Sequence, residues 1–197
     1  RTPPVVLRVV HHAMPRRVPG DLAMWFFILA ELAVFGLLFA ACAYARWQQP
    51  QLFARQQAGL PLGWALANTA LLLSGSAAVF NACRAYAAGR GQAGRRWLLA
   101  CLLCGSGFVL LKGHELGALF AAGINLSSNS FWMFYLSLAG FHYLHVLLGM
   151  VIVTAVWWRA GQGAYAANHD GVETAAAYWH MVDLVWLVLF ALLYTAR

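Results

Sequence analysis

FWMFYLSLAGFHYLHVLLGMVIVTAVWW, residues 131–158, contains no Asp, Glu, Lys or Arg. A helix of that length extends ~42 Å at about 1.5 Å per residue, more than the ~30 Å hydrocarbon core of a bilayer. The stretch reads as a transmembrane helix long enough to tilt. Working outward, four more apolar segments of similar length stand at about 22–45, 64–87, 97–121 and 174–196. The expected fold is therefore an all-α membrane protein, a bundle of five transmembrane helices over residues 22–197, preceded by a cytoplasmic arm at 1–21.

Composition agrees. The chain is 62% apolar and only 10% charged, with a mean hydropathy of +0.67, whereas soluble domains carry about 25% charged residues. So few charges cannot coat a globular surface in water. The net charge of +7 comes almost wholly from arginine, 12 Arg against one Lys. These arginines lie between apolar runs, a pattern that serves membrane orientation and lipid headgroups rather than nucleic acid. Residues 1–20 hold four arginines and no apolar core of a secretory signal, so the first span is expected to direct insertion. The four cysteines define no disulfide framework.

Arginine counting sets the orientation. Arg1, Arg8, Arg16, Arg17, Arg84, Arg90, Arg95, Arg96 and Arg159 fall on one side of the five spans, and Arg46, Arg55 and Arg197 on the other. The N-terminus is expected inside, in the cytoplasm, and the C-terminus outside, in the periplasm.

The informative residues are the titratable ones inside apolar spans, where a central charge costs about 2.5–3.5 kcal/mol on insertion scales. They are Glu31, Lys112, His114, Glu115, His142, His145, His180 and Asp183, with Glu173 at the start of the last span. Depth counting at ~1.5 Å per residue places Glu31, His142 and Asp183 near one mid-membrane level, and His145 and His180 about one turn nearer the inside. The pairs His142/His145 and His180/Asp183 are each spaced i,i+3. Glu31, His142, His145, Glu173, His180 and Asp183 are accordingly expected to form a buried polar cluster. Three roles are open to it: a hydrogen-bonded network that fixes packing, a proton-loading group, or a metal or haem site built on the three histidines.

Lys112 and Glu115 read as an i,i+3 ion pair. Gly113 and Gly117, flanking His114, read as a step for close helix approach. Cys101-x-x-Cys104 lies in an apolar helix and reads as packing, since a reactive thiolate needs an electropositive, accessible site. No phosphate loop, nucleophile triad or dinucleotide fingerprint is present, so a self-contained enzyme is not expected.

Three segments carry a resemblance. GFHYLHV (140–146) followed by Gly149 resembles the G-F-H-x-L-H-V-x-x-G segment of cytochrome c oxidase subunit III. HDGVETAAAYWHMVDLVW (169–186) resembles that family's last helix, and MWFFILAE (24–31) the helix bearing its intramembrane glutamate. The chain is similar to the five-helix form of the family. The opening PGDLAMW (19–25) and the compact length are more like the branch named for nitric oxide reductase activation.

The resemblance implies an accessory subunit without catalytic residues, metal ligands, haem or copper, packed beside a catalytic haem–copper-type subunit and binding structural phospholipids. It implies most directly support of nitric oxide reductase in denitrification, and alternatively subunit III of a terminal cytochrome c or quinol oxidase. It carries Glu31, His142, His145, Glu173, His180 and Asp183 over as the polar cluster. Lys112, His114 and Glu115 stand as lipid or ion-pair contacts, and Lys112 departs from the family pattern.

Overall fold

Pro50 divides the N-terminal third of the computed structural model, which describes residues 22–165 and 168–195. The expected N-terminal arm at 1–21, with its four arginines, and Arg197 lie outside the described residues. Helix α1 (Leu22–Gln48) stops at Gln49, whose backbone leaves the helical region before the proline, as steric clash with a following Pro ring requires. The short helix α2 (Pro50–Ala58) begins at that proline. Then follow α3 (Leu62–Ala87), α4 (Gly91–Ala121), α5 (Ser130–Gly161) and α6 (Asp170–Phe190), which runs on as a π-helical turn (Ala191–Thr195). Five of these elements are long and apolar enough to cross a membrane, and no strand occurs among the described residues.

The helices run past the apolar stretches in several places. α4 begins at Gly91 rather than near 97, α5 continues to Gly161 and α6 starts at Asp170. Arg95, Arg96 and Arg159 stand inside helical turns, because a helix satisfies its own backbone and need not stop where lipid ends. What ends α3, α4 and α5 is a shared device. Gly89, Gly123 and Gly163 adopt φ of 70°, 78° and 77°. The paired reverse bonds Arg90 N–H to Ala85 O, Ile124 N–H to Leu119 O and Ala164 N–H to Arg159 O close each end as Schellman caps. At the start of α5, Asn129 accepts a hydrogen bond from Trp132 N–H at 3.0 Å, an N-cap of the usual kind.

α2 was not expected; its polar residues conceal a helix with one anchoring side. Phe53 is 1% exposed and meets Phe131 edge-on at 5.4 Å. From the same segment Gln57 donates to the carbonyls of Leu192 and Leu193 at 3.1 and 3.0 Å, and Arg46 donates to Leu192 O at 3.3 Å. These carbonyls belong to the last turn of the final span, which a helix leaves without internal partners. α2 and the end of α1 thus close the end of the last helix.

α6 organises the interior. It packs against α1, α3 and α5, while α4 packs between α3 and α5. Trp179 is 0% exposed and seated against three glycines on three helices. A Cβ at Gly75 would stand 3.2 Å from its ring, at Gly105 2.7 Å, and at Gly149 3.3 Å. α1 is attached along one narrow seam, Ile28, Phe35 and Cys42, and packs on α5 and α6. A cleft of about 610 Å³ opens beside it, lined by Trp25, Ile28 and Leu32 of α1, Phe80 and Cys83 of α3, and Glu173 and His180 among others of α6. The glycine step in α4 is used by half: Gly113 admits Tyr143, whose hydroxyl would lie 3.0 Å from a Cβ there, whereas Gly117 faces open space.

Gly105→Ala should cost about 1–3 kcal/mol of stability, the usual range for overpacking a full core, because the new methyl meets both Trp179 and the Met150 sulfur. Gly117→Ala, with nothing within 4 Å, should leave stability unchanged or higher. Thermal unfolding of the two variants in the same mild detergent checks the contrast.

Candidate functional site

Glu31 of α1 and His145 of α5 form the one direct contact among the six residues of the expected cluster. Glu31 Oε2 lies 3.0 Å from His145 Nε2. The imidazole is fixed from its other side, with Nδ1 2.8 Å from the Phe141 carbonyl one turn earlier. A carbonyl only accepts, so Nδ1 carries a hydrogen. The contact between Nε2 and the carboxyl then holds one proton, on either atom. Phe141 and Phe35 wall the ring edge-on at 4.6 and 5.2 Å, and the His145 carbonyl accepts from Tyr178 Oη at 3.1 Å. The pair is therefore a proton-holding contact in a largely apolar slot between α1 and α5.

The other four residues do not join it. His142 is 0% exposed and lies between Phe108, edge-on at 5.8 Å, and Trp186 at 5.2 Å. Neither ring nitrogen of His142 and neither carboxyl oxygen of Asp183 has a hydrogen-bond partner among the described residues. His180 is exposed beside the α1 cleft, with Nδ1 2.6 Å from Ser76 Oγ. Glu173 pairs with His169 at 3.2 Å, one turn away at the start of α6. The single expected cluster is thus a set of separate contacts. Depth counting gave level but not direction: residues three apart on a helix differ by about 60° around the axis. That is enough to turn His145 to α1 and His142 toward α4 and α6. The same divergence separates His142, His145 and His180, and among the described residues no three His, Cys, Asp or Glu side chains converge on a point that could hold a metal ion. Cys101 and Cys104 are free thiols.

The richest polar network lies at the end of the bundle near α2. Lys112 of α4 is 0% exposed. Its ammonium donates to Glu115 Oε1 at 3.0 Å, Tyr135 Oη at 3.0 Å and Tyr194 Oη at 3.2 Å. An ammonium has three hydrogens, and each finds an oxygen. Tyr135 and Tyr194 also donate to Glu115 Oε1, and their hydroxyls are 2.7 Å apart. The rings of Tyr135, Trp186 and Tyr194 lie 5.0, 5.5 and 5.7 Å from the ammonium, within the range of cation–π attraction. The expected ion pair is present at its i,i+3 spacing, inside a network the expectation did not include. Tyr135 and Tyr194 went unread because a tyrosine in an apolar span is commonly packing; two hydroxyls at the depth of a lone lysine were the available signal. His114 points away from this network to the exposed side, where its ring faces Trp64 at 6.0 Å.

Five spanning helices, a buried lysine cage and an isolated carboxyl–imidazole pair describe a multi-pass membrane protein whose polar groups link helices to one another. The family model described as cytochrome c oxidase subunit III matches residues 10–196. The chain is 34% identical to cytochrome c oxidase subunit 3 of Synechocystis sp., covering 93% of this chain and 78% of the other. It is 31% identical to that of Thermostichus vulcanus, covering 88% and 85%. It is 28% identical to subunit 3 of the cytochrome bo(3) ubiquinol oxidase of Pseudomonas aeruginosa, covering 86% and 81%. The chain belongs to the cytochrome c oxidase subunit III family. These relatives carry oxidase names, which favours the oxidase reading over the nitric oxide reductase reading that the sequence put first.

Removing one partner of a buried ion pair costs about 3–5 kcal/mol, while replacing both is close to neutral. Lys112→Met and Glu115→Gln should each lower stability by about that range. The double substitution should recover most of the loss. A double-mutant cycle from thermal unfolding in detergent reads the coupling; additive losses would contradict the network.

Proposed function

We propose that this chain is the non-catalytic subunit III of a haem–copper terminal oxidase, packed beside the catalytic subunit in a bacterial inner membrane. It supports oxygen reduction without haem, copper or another cofactor of its own. The likeness to oxidase subunits over most of the chain carries this reading. Relatives named for cytochrome c and for ubiquinol oxidases both match, so either electron donor fits. Helix α1 supports a packing role: it is held by one seam and leaves Phe26, Leu29 and Leu37 exposed. The N-terminus faces the cytoplasm on the arginine count, and structural phospholipid fills the cleft beside α1. The hydrogen held between Glu31 and His145 gives this contact a part in proton movement within the complex. The nitric oxide reductase reading rests on residues 19–25 and on compact length.

Deleting the chain should lower the oxygen consumption of native membranes and leave nitric oxide consumption unchanged. Restoring it as Glu31→Gln should rebuild the complex with a partial deficit in turnover. A fall in nitric oxide consumption with oxygen uptake intact would move the assignment to nitric oxide reductase. Full turnover with Glu31→Gln in an intact complex would leave the pair a packing role alone.

A further inference from the structure

Between the α3–α4 turn and the α5–α6 connection lies a cavity of about 350 Å³, lined by Tyr86, Gly89, Gln92, Arg95, Gly163 and Tyr165 among others. Among the described residues none of its lining side chains is acidic. The Arg95 guanidinium is laid over the Trp157 ring at 4.6 Å and against the bare α-carbon of Gly161, where a Cβ would stand 3.0 Å from Nη2. The cation is thereby positioned, yet no described residue forms a hydrogen bond or ion pair with it, and its Nε is buried without a partner. Tyr86 is 8% exposed and its hydroxyl is likewise buried without a partner. Its ring lies along the first turn of α4, against Gly94 and Gly91. That turn has no side-chain cap, so the N–H groups of Gly91, Gln92 and Ala93 precede the first intrahelical bond, Gly94 N–H to Arg90 O.

We propose that this cavity binds a phosphate group, held by the Arg95 guanidinium, the Tyr86 hydroxyl and the first-turn N–H groups of α4. Each part suits a tetrahedral anion: a planar fork of donors, a positive helix end with free N–H groups, and left-handed glycines at 89 and 163 that let backbone come close. Arg84, Arg90 and Arg159 cluster at the same end of the bundle and raise the local anion concentration. The phosphate comes from a lipid headgroup at this level of the membrane or from a free anion in the adjoining water. The inference is independent of the oxidase assignment.

The test is native mass spectrometry of the full chain in mild detergent with three probes: dioleoyl phosphatidylglycerol, dioleoylglycerol (the same tails without phosphate), and inorganic phosphate. The wild-type chain should hold one phosphatidylglycerol in preference to dioleoylglycerol. Arg95→Gln should weaken that binding about tenfold or more, the scale of losing a charge-assisted hydrogen bond, and Tyr86→Phe should weaken it several-fold. Arg96→Gln, at an exposed neighbour, should leave it unchanged. Competition by inorganic phosphate identifies a free-anion site; phosphatidylglycerol binding that phosphate does not displace identifies a headgroup site. Should Arg95→Gln fail to fold, Tyr86→Phe decides, since it removes a single oxygen. Binding by Arg95→Gln and Tyr86→Phe equal to that of Arg96→Gln would overturn the proposal.

Discussion

Trp179 rests on the backbones of three helices at once, and its position sets how closely they approach. In lipid no hydrophobic force drives one apolar helix against another, so association depends on shape and on polar contacts. A large flat ring seated on Gly75, Gly105 and Gly149 supplies the shape. Once α6 is fixed this way, the rest of its inward face follows. Tyr178 reaches the His145 carbonyl, and Trp186 donates to Thr69 at 2.9 Å. The π-helical end then brings Tyr194 onto Lys112.

The second constraint is that polar groups in a membrane must find partners inside the protein. The structure meets it unevenly. Lys112 has an oxygen for each hydrogen and three aromatic rings around it. The carbonyls freed at the end of the last span receive Gln57 and Arg46. Glu31 and His145 share one proton between them. His142, Asp183 and the buried Asn68 lack partners among the described residues, and they sit deep in the core rather than around one open site. The well-satisfied groups join helices: α4 to α5 and the end of α6, α1 to α5, α2 to the last turn. That distribution suits the proposed accessory role, a rigid body with one isolated proton-holding contact offered to a larger assembly.

The spans were legible because charge is absent from them: residues 131–158 cannot be read otherwise, and Gly89, Gly123 and Gly163 mark ends that backbone geometry requires. α2 was hidden by its polar composition, since one buried Phe53 leaves no periodic signal. The titratable residues were legible as a set, each too costly to face lipid. Their grouping was not. Counting residues gives depth within about a turn and gives no azimuth, so Glu31 was placed level with His142 when its partner is His145, one turn away. Hydroxyl partners such as Tyr135, Tyr194 and Ser76 were missed because their residue types are ordinary in apolar helices and gain meaning only from what stands opposite.

The proposed role places the chain beside an oxidase catalytic subunit. The most direct measurement is mass spectrometry of whatever co-purifies with the tagged chain from native membranes in mild detergent, with a visible spectrum of the same fraction. A haem–copper oxidase catalytic subunit in equal amount, with its haem absorbance, is the expected result. A nitric oxide reductase catalytic subunit in its place, or a chain that leaves the membrane alone with a haem spectrum of its own, would contradict it.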